Sequence, residues 1–277
     1  MEADGADVLM RRLGVLAALL LLAAGCGGGG KNSDKAAGKP VGNPIAQAAA
    51  STARAGSVKI DFEISGKGIQ GGGRGVFDTG ASGSGRLAMT VVSGGQSTAV
   101  DTIIDRTVLY IRTAVFRQAL PAGKEWVRLD LAQFARQRGL NLGSLVDSNP
   151  NPNGALAYLR GSTAKVQDLG KEKVKGVETT HYRTTIDLEQ AARRAKGATK
   201  QSLRRVIDVA GIKKLPVNAW VGEDGYVRKV IYRQYSGRNQ SAKITMELYD
   251  FGSPVTITAP PKTTVVDFQK LLGPQGG

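Results

Sequence analysis

Side chains that could carry out catalysis are scarce in this sequence. The 277-residue chain contains one histidine, His181, one cysteine, Cys26, and no cluster of metal-ligand residues. His181 lies beside Thr179 and Arg183 in an alternating segment and opposite Tyr182, which predicts a place on the solvated face of a strand. General acid–base or nucleophilic chemistry needs a second group within hydrogen-bond reach, and no such partner can be identified. The sequence therefore favours a protein that is not an enzyme and needs no metal or cofactor.

One glycine motif has the spacing of a nucleotide-binding site. Gly66, Gly68 and Gly71 match GxGxxG and follow a strand, which is the dinucleotide-binding pattern when a helix comes next. Here residues 72–75 are Gly, Gly, Arg and Gly, and another strand follows them. The motif is therefore interpreted as a glycine-rich hairpin turn.

The chemistry of Cys26 is indicated by the residues before it. Arg11 and Arg12 precede an uncharged apolar stretch at residues 13–24. Twelve residues cannot span a bilayer, which takes roughly 20, but they fit the roughly 7–15 apolar residues of an export signal. The acidic residues within the first nine are unusual for such a signal and favour a translation start at Met10 rather than Met1.

Residues 22–26, Leu-Ala-Ala-Gly-Cys, resemble the lipobox of bacterial lipoproteins, although the leucine stands one position further from the cysteine than usual. A buried thiol is the alternative, but residues 27–30 are four glycines with nothing to bury it. We therefore expect cleavage before Cys26, lipidation of Cys26, and anchoring at the outer face of the cytoplasmic membrane. A single cysteine also excludes an intramolecular disulfide.

The chain is strongly basic, with a formal net charge of +15. Such a surface favours anionic partners, and for an exported protein these are acidic lipid headgroups rather than nucleic acid. A basic patch on a predicted helical stretch at residues 189–210 faces either solvent or the membrane, and these alternatives stay open. The patch consists of Arg193, Arg194, Lys200, Arg204 and Arg205.

The predicted organisation has four parts: a signal peptide at residues 1–25, a flexible tether at 26–43, one folded domain at 44–260 and a C-terminal tail at 261–277. The domain is expected to be monomeric. Pro44 begins a predicted helix at 44–55, and shorter helices are predicted at 130–138 and 153–160. Strands of period two are predicted between glycine-rich turns at 58–64, 75–79, 85–92, 97–104, 107–112, 125–129, 164–169, 177–188, 216–221, 226–235 and 242–251.

Several of these segments look like a known family. The strand at 176–188, the segment 218–229, residues 124–127 and the strand containing Tyr110 resemble mycobacterial envelope lipoproteins of the LppX, LprA, LprF and LprG type. The resemblance implies an α+β fold: a curved antiparallel half-barrel, similar to LolA, with helices covering its concave hydrophobic face. It also implies binding of acylated lipid or glycolipid and movement of that lipid within the envelope.

The alternation independently predicts an apolar concave wall that would suit acyl chains. The same side chains could instead fill a solid core, and the sequence does not separate a cavity from a core. The predicted ligand-binding residues are Val58, Ile60, Phe62, Ile64, Leu87, Met89, Val91, Leu109, Ile111, Ile244, Met246 and Leu248.

These sequence features are compatible with three functions. The leading hypothesis is a lipoprotein that binds and carries lipid, with the membrane, an acylated lipid or glycolipid, and an envelope transporter as partners. The second is an envelope sensor or protein-interaction module of the same fold without lipid transport. The third, an envelope hydrolase, lacks an identifiable nucleophile and base.

Overall fold

Alternating apolar and polar residues build the strands of one large sheet. The computed structural model describes residues 43–80, 83–137, 159, 165–194, 200, 204, 207–208, 211–237 and 240–271. Twelve strands in these ranges join in the order β12-β6-β5-β4-β3-β2-β1-β11-β10-β9-β8-β7. The sheet is therefore two meanders joined along β1 and β11.

The first meander runs from β1 to β6, each strand antiparallel to the next. In β1 the side chains at positions 58, 60, 62 and 64 are buried and those between them face outward, as the alternation predicts. The strands are β1 (Ser57–Gly66), β2 (Ile69–Asp78), β3 (Gly85–Ser93), β4 (Gln96–Asp105), β5 (Val108–Thr113) and β6 (Trp126–Asp130).

The second meander returns to the first, because its last strand pairs antiparallel with β1. A short strand near the C-terminus then adds parallel to β6 at the opposite edge. These strands are β7 (Gln167–Val174), β8 (Val177–Asp187), β9 (Lys214–Gly222), β10 (Val227–Gly237), β11 (Gln240–Tyr249) and β12 (Val265–Asp267).

The described helices are short; three lie at the ends of the meanders, and one follows β8 within the second meander. The first begins as predicted, since Pro44 occupies its first turn and Asn43 Oδ1 accepts hydrogen bonds from the amides of Ile45 and Ala46 at 3.1 and 3.2 Å. The helices are α1 (Pro44–Ala53), α2 (Leu131–Gln137), α3 (Leu188–Arg194) and α4 (Phe268–Leu271), with 3-10 turns at Ala114–Phe116 and Lys262–Thr264.

The prediction of a long glycine-rich turn before residue 75 is wrong. Only Lys67 and Gly68 form the turn, and Gly68 has a φ of 75° that suits glycine. The remaining glycines belong to β2, which pairs along its whole length with β1 and β3. The GxGxxG spacing therefore lies in a β-hairpin and not at the start of a helix.

Three further segments differ from the prediction or lie outside the described residues. The strand predicted at 164–169 starts later and runs to Val174, where a two-residue turn at Lys175 and Gly176 leads into β8. In the predicted helix 153–160 the structure describes Leu159 alone, which is helical and buried. In the stretch 189–210, α3 ends at Arg194 and the later described residues 200, 204, 207 and 208 are also helical.

The core lies on one side of the sheet. Inward-facing side chains of both meanders form one buried cluster with residues of α1 and α3 and with Phe116 and Leu159. An open, curved antiparallel sheet with helices on its apolar face is the α+β architecture that the sequence predicts.

Candidate functional site

All twelve predicted wall residues lie on the same face of the sheet. Phe62 stands opposite Met246 on β11, and Ile60 opposite Leu248, so the paired strands present these side chains together. Eleven of the twelve are buried, and Met246 is partly exposed. The inward-facing side chains of β1 to β5 and β8 to β11 are called the concave wall below.

Three inward-facing glycines of β2 form a strip of the concave wall that has no side chains, called the glycine track below. Gly71, Gly73 and Gly75 face inward opposite Ile64, Phe62 and Ile60. A Cβ built on Gly73 would lie 2.2 Å from the carbonyl oxygen of Ala88, and one on Gly71 would lie 2.6 Å from that of Thr90. The backbone of β3 therefore occupies the space of side chains at these positions, a close approach that is typical of glycines in a curved sheet.

The glycines of the track are more exposed than the wall side chains beside them. Gly71, Gly73 and Gly75 are partly exposed, although Phe62 and Met89 beside them are 8% exposed. This role could not be predicted from the sequence, because glycines in a strand carry no alternation of hydropathy.

The second meander extends the concave wall beyond the predicted residues. Tyr232 lies opposite Ile244 and Val217, and Val230 lies opposite Met246 and Ala219. Burial raises the pKa of the Tyr232 phenol to about 12, so this hydroxyl stays protonated at any physiological pH. A register shift between Val227 and Lys229 changes which side chains face inward, and the alternation alone could not place them.

Short helices cover the second-meander side of the wall. Helix α1 buries Ile45, Ala48 and Ala49 against β9 and β10. Thr52 of this helix accepts a hydrogen bond from the Val227 amide at 2.9 Å and donates to the Ala48 carbonyl at 2.7 Å. Helix α3 packs against β8 and β9 through Leu188 and Ala192. These helices sit where the family resemblance implies that the concave face is covered.

The outer face of the sheet carries a polar and aromatic cluster around His181. The His181 ring stacks on Trp220 with centroids 4.0 Å apart, and its Nδ1 and Nε2 lie 2.9 and 3.0 Å from Glu172 Oε1 and Asn218 Oδ1. Trp220 also donates to Glu172 at 2.9 Å, and this bond, with that of His181, lowers the pKa of the Glu172 carboxyl. His181 faces outward as predicted, but its side chain is 12% exposed, so the ring is fixed by packing instead of being solvated.

A second contact holds the β7–β8 turn against the outer face of β1 and β11. Lys175 Nζ lies 2.6 Å from Asp61 Oδ2 and 3.5 Å from Glu247 Oε2, and 4.7 Å above the Tyr249 ring. Tyr249 donates from its hydroxyl to Asp61 Oδ1 at 3.0 Å. Because β9, β10 and β11 separate β8 from β1, the hairpin tip reaches across the outer face of the curved sheet. These four residues are called the outer clasp.

The outer clasp makes a small contribution to stability that depends on pH. Burial opposes ionisation of Asp61, but hydrogen bonds from Lys175 and Tyr249 and the charge of Lys175 outweigh it and lower the pKa. A lowered pKa stabilises the fold above the unfolded-state pKa of about 4, and this stability is lost as the pH falls through the folded-state value. We expect Asp61→Asn to cost about 1 kcal/mol or less at neutral pH, since Asp61 is 38% exposed, and to cost nothing in strong acid.

Denaturant titrations of both chains near neutral pH and below pH 3 check this prediction. Glu63→Gln is the matched control, because Glu63 lies on the same strand and face and no ion pair of it occurs among the described residues. An unchanged difference between wild type and Asp61→Asn across this pH range would contradict the role of the ionised carboxylate.

An open groove of about 430 Å³ lies beside the outer clasp, across β2, β1, β11 and β10. Its side chains carry both charges, with Asp61, Glu63 and Glu247 facing Arg74 and Lys229. A hydrocarbon chain would gain little against these groups, so this groove is not the predicted acyl-chain site.

Comparison with known proteins adds the following. No protein-family model matches the chain. It is 27% identical over 161 residues to an uncharacterized 31.2 kDa protein encoded in the rplA–rplJ intergenic region of Streptomyces griseus, covering 56% of this chain and 52% of that protein. The chain thus spans about half the length of this curated relative.

Two solved structures of mycobacterial proteins are similar to the model. LprF from Mycobacterium bovis matches with a TM-score of 0.47 and 13% identity, over 78% of this chain and 95% of that one. The lipoprotein LppX from Mycobacterium tuberculosis matches with a TM-score of 0.45 and 14% identity, over 78% of this chain and all of the other. The chain resembles proteins of the LppX and LprF type. The same type of protein was indicated by the resemblance of the sequence segments.

The structure describes the basic patch only in part. Arg193 is exposed and lies 4.0 Å from Glu189, which also pairs with Lys213 at 3.0 Å. Lys200 and Arg204 are exposed, whereas Arg205 and the Arg194 side chain lie outside the described residues. The membrane-facing role of this patch remains a prediction.

The described ranges contain neither a candidate metal site nor a helix that could span a membrane. There, no group of three or more His, Cys, Asp or Glu side chains is placed to hold a metal ion. In the same part of the chain no helix has the length and apolar character needed to cross a bilayer. Cys26, the predicted signal and all of the predicted tether except Asn43 lie outside the described residues.

Proposed function

We propose that the concave wall binds the acyl chains of a lipid or glycolipid, and that this protein carries that lipid within the cell envelope. The observation that supports this best is the wall itself, a largely apolar surface with the glycine track running along it. Partly exposed apolar or aromatic residues, Met246 and Tyr232, lie on this wall beside fully buried ones. A guest molecule could contact such positions without first displacing a core side chain.

The chemistry of the wall suits hydrocarbon chains better than rings. Its predicted residues are aliphatic side chains, two methionines and one phenylalanine, which offer no polar groups to orient a sugar or a nucleotide. Burying one long acyl chain at about 0.8 kcal/mol per methylene gives on the order of 10 kcal/mol before ordering costs. That amount is sufficient for a carrier that must also release its cargo.

The proposal includes an anchor at the membrane. Lipidated Cys26 would hold the chain at the outer face of the cytoplasmic membrane, because two or three acyl chains bind firmly where one does not. The basic patch would then lie close to acidic headgroups and orient the domain. A carrier of this kind performs no bond chemistry, and an envelope transporter is its expected partner.

Mass spectrometry of the full mature lipoprotein tests both parts of the proposal. A guest lipid should appear as an adduct under native conditions and vanish on denaturation, whereas the acyl anchor should remain as a covalent mass. In a Cys26→Ser chain the covalent mass should be absent while the released adduct persists. This pair of measurements separates a bound lipid from the anchor without removing any segment of the protein.

Repeated preparations without a dissociable adduct would overturn the lipid-binding function. A protein partner recovered by crosslinking in the same preparations would then favour the sensor or interaction module of the same fold. A mature mass without acyl groups on Cys26 would overturn the anchor alone.

A further inference from the structure

Two threonine hydroxyls on the concave wall have no hydrogen-bond partner. Thr102 on β4 is 1% exposed and Thr113 on β5 is 7% exposed. Within the described part of the chain neither Oγ1 atom has a partner. A buried hydroxyl without a partner loses its hydrogen bonds to water and gains none in exchange.

Other buried threonines of this sheet and its helices do have partners. Thr184, which faces the concave side on β8, donates to the Lys165 carbonyl at 3.3 Å. Thr179 donates to the Glu172 carbonyl at 2.6 Å. Thr52 of α1 both donates and accepts, as described above. The free hydroxyls of Thr102 and Thr113 are therefore a local feature and not a general property of this fold.

The two threonines belong to one small region of the concave wall. Thr102 stands opposite Leu87 and Ile111, and Thr113 stands opposite Val100. Diagonal neighbours of this kind lie roughly 7–8 Å apart, so one guest group that parts the packed side chains around them can reach both hydroxyls. Their nearest strand neighbours on this face are buried and apolar, which makes a hydrogen bond formed here stronger than one in water.

We infer that Thr102 and Thr113 donate hydrogen bonds to the carbonyl oxygen of an acyl ester in the bound lipid. This inference rests on the proposed function and deepens it, because it names two side chains that bind the polar end of the acyl chain. A pure hydrocarbon or an ether-linked lipid would leave both hydroxyls without a partner, whereas an ester carbonyl can accept from a hydroxyl and needs no donor in return. The ester end of the lipid then lies at β4 and β5, and its acyl chain runs along the wall past Met89 and Phe62.

A competition between two lipids tests this inference. The full chain in mild detergent is mixed with equal amounts of dioleoylphosphatidylglycerol and its dialkyl ether analogue, and native mass spectrometry compares the two bound masses. We expect roughly tenfold more ester than ether lipid on the wild-type chain, as two hydrogen bonds allow. In the double variant Thr102→Val and Thr113→Val this ratio should fall to near one, while total lipid binding is retained.

Thr184→Val is the matched control, since its hydroxyl already has a protein partner and its loss should leave the lipid ratio unchanged. Denaturation midpoints of the lipid-free chains check the premise: the double variant should be at least as stable as wild type, and Thr184→Val less stable. A double variant clearly less stable than wild type would show that the hydroxyls have protein partners and would overturn the inference.

The lipid ratios distinguish the remaining outcomes. Equal binding of ester and ether lipid by the wild-type chain would overturn the role of the threonines and leave the proposed function standing. Binding of neither lipid would overturn both.

Discussion

Replacing Gly73 with alanine is expected to destabilise the protein by about 3–5 kcal/mol or to prevent folding. The added methyl group would lie 2.2 Å from the Ala88 carbonyl oxygen and 2.8 Å from Met89 Cα, both backbone atoms of the neighbouring strand. A collision with backbone cannot be relieved by a side-chain rotation, so β2 and β3 would have to separate. Thermal or denaturant unfolding of the two chains measures this loss.

Gly95→Ala is the control for the general effect of removing a glycine. Gly95 lies in the β3–β4 turn with a φ of 78°, and a Cβ built there meets nothing within 4 Å. Only the strain of the left-handed conformation is expected at this position, about 1 kcal/mol. If Gly73→Ala cost no more than Gly95→Ala, close approach of β3 would not be the reason for the glycines of β2.

The strands of the first meander could be predicted from the sequence because each has one buried and one exposed face. Positions 58, 60, 62 and 64 alternate with charged or polar residues, and the structure buries that whole set. The same alternation in β3 correctly places Leu87, Met89 and Val91 inward. When only one face of a strand is buried, the alternation of apolar and polar residues is sufficient to identify the strand and to predict which side chains face the core.

Segments that lack one-sided burial could not be predicted in this way. In β2 three successive inward positions, 71, 73 and 75, are glycines, so no hydropathy pattern separates this part of the strand from a turn. Most of β7 is exposed because it lies at the edge of the sheet, and it carries no apolar alternation at all. Composition at both places is typical of a loop, and only pairing with a neighbouring strand makes them β-structure.

Contacts across the curved sheet are a second kind of feature that the sequence does not show. Lys175 and Asp61 are 114 positions apart, and three strands separate β1 from β8. Their ion pair depends on how far the sheet curls between β1 and β8, and the register shift in β10 lies in that span. The candidate wall was therefore predictable, whereas the outer clasp was not.

Replacing Met246 with lysine is expected to abolish lipid binding while leaving the fold intact. Met246 is partly exposed on the concave wall, opposite Phe62 and Val230. A lysine stem fits where the methionine side chain lay, and its ammonium group would project into the space proposed for the acyl chain. A hydrocarbon chain would then have to bury an unpaired charge, which costs several kcal/mol, so binding should fall at least a hundredfold.

Thr245→Lys is the matched control, one residue away on the opposite face. Thr245 points outward opposite Glu63, so a lysine there finds an opposite charge and should change neither lipid binding nor stability by more than about 0.5 kcal/mol. Native mass spectrometry gives the bound lipid, and denaturant titration gives the stability of both variants.

The stability of Met246→Lys also separates a cavity from a solid core. If the wall borders a space that water or a guest can enter, the lysine reaches that space and the free energy of unfolding changes by about 1–2 kcal/mol or less. If side chains fill that volume, the ammonium is buried without a partner and the loss is about 3–5 kcal/mol. Full lipid binding by Met246→Lys, or a loss of stability of the larger size, would contradict an acyl-chain site on the concave wall. A binding cavity requires that the Met246→Lys chain be stable and bind no lipid. The Thr245→Lys chain should still bind lipid.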